Sequence, residues 1–97
     1  MAEQFNIRYC VETGWPKGRR RKPAEKGLTG MDWECFGALP FLPRKGDMIT
    51  VHTDDDFRRV DEVFIYAATD PRKVEVFFEF QESADHQSLV DGGWKEC

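Results

Sequence analysis

Phe5, Ile7, Tyr9 and Val11 alternate with Asn6, Arg8, Cys10 and Glu12. A period of two gathers the four apolar side chains on one face of an extended strand, whereas a helix would scatter them around its axis. Residues 4–13 therefore read as a strand with one buried face. The alternation returns as Val74, Val76, Phe78 and Phe80 against Glu75, Phe77, Glu79 and Gln81. Residues 74–81 read as a second such strand, with the first row in the core and Phe77 on the opposite face. Residues 59–67 hold Val60, Val63, Phe64, Ile65 and Tyr66 and read as a third strand. Between these last two, Thr69-Asp70-Pro71-Arg72-Lys73 has proline at the second turn position and aspartate before it. That is the order a type I turn prefers, and it makes the pair an antiparallel hairpin.

Gly14, Pro16, Gly18, Pro23, Gly27 and Gly30 follow the first strand. No helix or strand interior tolerates that density of breakers, so residues 14–30 read as a long loop. Residues 31–38, with Trp33, Cys35 and Phe36, are expected to pair with the first strand across it. In Leu39-Pro40-Phe41-Leu42-Pro43-Arg44-Lys45-Gly46-Asp47 two prolines forbid a regular ladder, and Gly46-Asp47 turns into a short run of Met48, Ile49 and Val51 ending near His52. Asp54-Asp55-Asp56 reads as a polar hairpin tip, because three adjacent carboxylates repel one another and stay in water. Ser83 is placed to cap a short helix through Asp91, ended by Gly92-Gly93, with Ala84, Leu89 and Val90 for apolar contact. Ninety-seven residues support one core. The expected architecture is a single domain over 1–97, mainly β: a small five-stranded, partly open SH3-like barrel with a long basic loop and a short C-terminal helix at 83–91.

Several function classes are disfavoured. An aromatic share of 13% is too high for a disordered chain. The apolar runs are a few residues long against the ~20 a bilayer requires, and Met1-Ala2-Glu3-Gln4 lacks the basic-then-apolar order of a signal peptide, so the expected location is cytoplasmic. Cys10, Cys35 and Cys97 include no Cys-x-x-Cys spacing, which argues against a disulfide framework and a zinc site. Cys10 and Cys35 read as small buried apolar residues. The two histidines, His52 and His86, stand in no nucleophile or zinc motif, and a pairing of Cys35 with His52 has no local support. Asp54-Asp55-Asp56 lacks the glycine and distal glutamate of a calcium loop, and the glycines of 14–30 lack phosphate-loop spacing. No enzymatic activity, cofactor or metal is expected.

The Leu39-Pro40-Phe41-Leu42-Pro43-Arg44-Lys45-Gly46-Asp47-Met48-Ile49-Thr50-Val51 stretch, followed by the hairpin of 59–67 and 74–81, resembles the strand-turn-strand core of small bacterial and phage proteins of SH3-like barrel type. Within it, Lys45-Gly46-Asp47 with Ile49 and Val51 is also similar to the opening of KOW and Tudor-like barrel motifs. The resemblance covers residues 39–81 and implies a small barrel fold and binding of RNA, ribosomal partners or modified peptides. In place of the glycines a KOW motif carries after its second strand, this chain has Asp54-Asp55-Asp56-Phe57-Arg58.

Binding features remain. The net charge is −4, yet Lys17, Arg19, Arg20, Arg21, Lys22 and Lys26 place six cations against Glu25 alone within ten residues, just after Trp15. Cations beside an aromatic ring can neutralise phosphates while a base stacks, and arginine clusters also grip carboxylates. An overall acidic chain repels polyanions elsewhere, which favours an acidic protein surface over nucleic acid as the loop's partner. Asp54, Asp55, Asp56, Asp61 and Glu62 form an acidic edge read as solubility and edge protection, with a basic partner as its alternative. Trp33, Phe36, Phe41, Phe57, Phe77 and Trp94 exceed what a core this small readily hides; Trp33 and Phe36 are expected to close the barrel ends, and an outward Phe77 between Glu75 and Glu79 suits docking to another chain. The functional expectation is a small non-catalytic interaction protein of bacterial or phage origin. It would modulate a larger protein or complex, as inhibitors of host defence do, through Trp15, Lys17, Arg19, Arg20, Arg21, Lys22, Lys26 and Phe77. The alternative is a nucleic-acid-binding barrel led by Trp15 and the cations of 17–26.

Overall fold

Alternation requires a sheet with one packed face, and the computed structural model, which describes residues 4–14, 31–52, 56–70, 72–82 and 86–97, has that form. The elements in chain order are β1 (Phe5–Thr13), β2 (Met31–Leu39), β3 (Met48–Ile49), β4 (Arg58–Ile65), β5 (Lys73–Phe78), α1 (His86–Asp91) and β6 (Lys95–Glu96). The protein is mainly β, a six-stranded curled half-barrel sheet with one short helix. Strand order is β3-β4-β5-β1-β2-β6. The strands expected from the alternation all form, with ends shifted by one to three residues. The sixth strand was not expected: Lys95 and Glu96 pair with Glu34 and Trp33 along the outer edge of β2.

β1 lies in the middle of the sheet. It is antiparallel to β2, with Tyr9 opposite Cys35 and Val11 opposite Trp33, and parallel to β5, with Ile7 opposite Val74 and Tyr9 opposite Val76. A parallel pair needs a long crossover, and here β2, β3 and β4 lie within it. The inner face carries Ile7, Tyr9, Val11, Trp33, Val74 and Val76, and Leu89 and Trp94 pack into the same cluster. Tyr9 stacks on Phe78 at 5.9 Å, and Phe78 meets Trp94 edge-on at 6.2 Å. The Arg58 guanidinium stands 5.4 Å from the centre of the Trp94 ring.

Two ladder irregularities decide which side chains face outward. On β4, Val60 and Val63 are three apart, a spacing that a regular strand would split between its faces. A bulge places Asp61 and Glu62 together against Phe77, so that Val60 pairs with Phe78 and Val63 with Val76 on the inner face. The second lies beyond β5. Cys10 pairs with Phe77, but the next bridge joins Thr13 to Gln81, one residue out of step. The slip takes Phe80 off the inward row: Phe78 is 5% exposed and Phe80 is 46% exposed. The expected core row therefore ends at Phe78, and Phe80 belongs outside.

Other expectations need correction. Phe36 does not close a barrel end: alternation from the buried Trp33 turns it outward, and it is 68% exposed. Val51 packs at the core margin after β3 has ended at Ile49. The β4–β5 turn closes through Lys73 N–H donating to the Asp70 carbonyl at 2.9 Å and Arg72 N–H to Asp70 Oδ1 at 3.0 Å. Helix α1 ends in a Schellman motif: Trp94 N–H donates to the Leu89 carbonyl and Gly93 N–H to the Val90 carbonyl, with Gly93 at a φ of 90°. That geometry turns the chain so that Trp94 enters the core and β6 starts. Residues 53–55 of the acidic tip and 83–85 of the expected helix lie outside the described residues. Among those described, no helix is long and apolar enough to cross a membrane.

Candidate interaction face

The even-numbered residues of β1 mark the outer face of the sheet. Arg8 lies at its centre: its Nε donates to Glu34 Oε2 at 2.7 Å and its Nη1 to Glu75 Oε2 at 2.8 Å, joining β2 and β5 across β1. The two carboxylates hold the guanidinium firmly charged, Glu34 contributing most. Next to it, Cys10 is buried between its neighbours, and burial pushes its thiol up to about 11. Cys97 Sγ is 3.7 Å from Arg8 Nη2, and burial also raises its thiol above the ordinary value.

Aromatic rings border this polar centre. Phe64 of β4 and Phe77 of β5 meet edge-to-face, 5.4 Å apart and 87° between planes. Such a pair contributes about 0.5–1.5 kcal/mol beyond the area it covers. Phe64, Phe77 and Phe80 line a cavity of about 590 Å³ together with Arg8, Cys10 and the carboxylates of Glu12, Asp32, Asp61 and Glu62. The bulge brings Asp61 and Glu62 there side by side. At the far end of the face Lys73 Nζ sits 4.9 Å above the Tyr66 ring.

A larger groove, about 850 Å³, runs between β4 and the 41–45 segment. Its apolar wall is Phe5, Phe41, Leu42 and Val63, and its charges are balanced, Arg44 and Lys45 against Asp61 and Glu62. Volume alone would favour this groove. The outer face is the better-defined site, because it combines a paired aromatic platform with carboxylates that outnumber the cations among the described lining residues.

The residues singled out from sequence divide cleanly. Phe77 is on the outer face, half-buried against Phe64. Trp15, Lys17, Arg19, Arg20, Arg21, Lys22 and Lys26 lie outside the described residues. Of the thiol and imidazole groups, Cys35 stands on β2 and His52 follows β3, and three strands separate β2 from β3 in the strand order. His86 belongs to a structural network: Trp33 Nε1–H donates to Thr13 Oγ1 at 3.0 Å, and His86 Nε2 lies 3.1 Å from the same oxygen. Thr13 is fully buried, and this network fixes the start of α1 on the ends of β1 and β2. Among the described residues no cluster of three or more His, Cys, Asp or Glu side chains could hold a metal ion. Sequence reasoning missed Arg8, Phe64 and Phe80 as residues of this face. Arg8 carried a weak signal in the sequence, as the one cation on the outward row of β1.

Comparison with protein-family models, with curated proteins and with solved structures finds no match to this chain.

Proposed function

We propose that this chain is a small non-catalytic interaction protein that docks on a larger protein through the outer face of its sheet. The observation that carries this reading is the Phe64–Phe77 pair, set with Phe80 on a sheet face that no described element covers. Large rings in a partly formed pocket, surrounded by polar groups, are the usual anchors of a protein interface. The buried Cys10, with its raised thiol, is a poor nucleophile, because the thiolate is the reactive form. The reading includes a cytoplasmic home, where Cys10, Cys35 and Cys97 remain thiols. It also includes a bacterial or phage modulator of a larger complex, by analogy of size with inhibitors of host defence.

The SH3-like resemblance of residues 39–81 fits the same reading, since small barrels commonly present one sheet face to a partner. Nucleic-acid binding is the second reading, and the six cations that follow Trp15 favour it. The carboxylates of the outer face favour a protein partner instead, because they repel phosphate.

The test is affinity capture from the native source with three versions of the full chain: unaltered, Phe64→Ser with Phe77→Ser, and Phe57→Ser. Phe57 is exposed and does not line the outer cavity. A protein retained by the first and third and lost by the second is the expected result. Equal recovery by all three would remove the outer face from the interaction. Capture of nucleic acid that disappears when Arg19, Arg20 and Arg21 become alanine would install the second reading.

A further inference from the structure

The charge of the outer cavity specifies its partner further. Among the described residues, three carboxylates, Asp32, Asp61 and Glu62, line it with one cation, Arg8, whose guanidinium is already committed to Glu34 and Glu75; Glu12 also borders it but is engaged in an interaction of its own. Within the described residues the cavity is therefore net acidic, and its lining includes the phenyl rings of Phe64, Phe77, Phe78 and Phe80. A partner that matches both properties carries positive charge at the end of an apolar stem. Arginine and lysine have that construction: the alkyl stem lies along the rings while the head reaches the carboxylates.

Resting on the reading that this face docks a protein, we infer that its occupant is a cationic segment of the partner, an arginine- or lysine-bearing stretch. The bulge at Asp61 and Glu62 is the structural device behind the site. It sets two consecutive acidic side chains opposite Phe77, where strict alternation would have sent one of them to the inner face. Polyanions and anionic lipid surfaces are repelled by the same field. The larger groove beside β4 lacks this selectivity, since Arg44 and Lys45 offset the same two carboxylates there.

The experiment is a titration of the isotope-labelled full chain with a hexa-arginine peptide, followed through backbone amide shifts, with a hexa-glutamate peptide as the reference. The expected result is a set of shifts centred on Cys10, Glu12, Asp61, Glu62 and Phe77, and none with the acidic peptide. Affinity falls from low to physiological salt, and Asp61→Asn with Glu62→Gln weakens it by about tenfold, as for a close interfacial charge pair. Asp56→Asn, an exposed carboxylate off the cavity, leaves affinity unchanged. Shifts spread evenly over every acidic patch, or affinity insensitive to Asp61 and Glu62, would overturn the inference.

Two further outcomes also overturn it by naming a different occupant. If the peptide binds only after Arg19, Arg20 and Arg21 are changed to alanine, the chain's own cations fill the site. If the unaltered chain self-associates and that triple variant does not, a second copy does. Failure of the peptide while a captured native partner still requires Phe77 would reject the cationic chemistry and leave the docking face standing.

Discussion

Arg8 and Cys10 sit two residues apart on one strand, face the same way and carry opposite lessons about polar groups on a sheet. The Arg8 guanidinium is about a third exposed and the Glu75 side chain half as much, so the bridge is partly shielded from solvent screening. Replacing Arg8 by leucine leaves Glu34 and Glu75 facing each other across β1 without their cation. The expected loss is about 1–3 kcal/mol of unfolding free energy by denaturant titration. No measurable loss would mean that both carboxylates turn to water at no cost. For Cys10, burial holds the folded-state thiol protonated to about 11, against an ordinary value of 9.0. Above pH 9 the unfolded chain releases a proton that the folded chain keeps, so stability falls as pH rises from about 9 to about 11. Tyr9, raised by its own burial from an ordinary value of 10.0, adds to the same trend above pH 10. Thiol labelling under native conditions should modify Cys97 first and Cys10 only on unfolding, and Cys10→Ala should flatten the alkaline decline. Rapid native labelling of Cys10 would contradict its burial.

At the scale of elements, regular alternation was legible and its interruptions were not. The strands of 5–13 and 73–78 announce themselves because every second side chain is apolar, and the Asp70 turn because its residues suit one turn type. The slip between Phe78 and Gln81 is invisible in the sequence: Phe80 continues the apolar row, and only the one-residue offset against β1 turns it outward. The β4 bulge was readable in principle from the odd spacing of Val60 and Val63. The short β6 carries no pattern of its own, since two charged residues become a strand only because the Schellman turn delivers them to the edge of β2. Gly93 makes that turn at a φ of 90°. Gly93→Ala is expected to cost about 1–2 kcal/mol in thermal or chemical unfolding, the penalty of a left-handed conformation for a residue with a Cβ. Gly14 fails for a different reason, a Cβ there meeting the Glu82 carbonyl. Because backbone cannot yield as a flexible side chain does, Gly14→Ala should cost on the order of 1–3 kcal/mol. An unchanged midpoint for either variant would mean the turn or the close approach can relax.

Over the whole molecule, one curled sheet separates two environments. Its inner face is filled by its own side chains with Leu89 and Trp94, while its outer face combines rings and carboxylates around Arg8. The candidate face was only partly legible from sequence, because its members come from four segments far apart along the chain. Phe77 could be picked out as an outward ring between two glutamates. The partnership with Phe64 needed the β4–β5 register, and the acidity of the cavity needed β1, β2 and the bulge brought together. The long basic segment, the loudest feature of the sequence, lies outside the described residues, so the account rests on the sheet. Cross-saturation transfer on the complex with the captured native partner, observed at the phenyl signals of this chain, tests that directly. Docking through the outer face attenuates Phe64, Phe77 and Phe80 and leaves Phe57 at full intensity; attenuation of Phe57 alone, with the three outer-face rings unaffected, would contradict it.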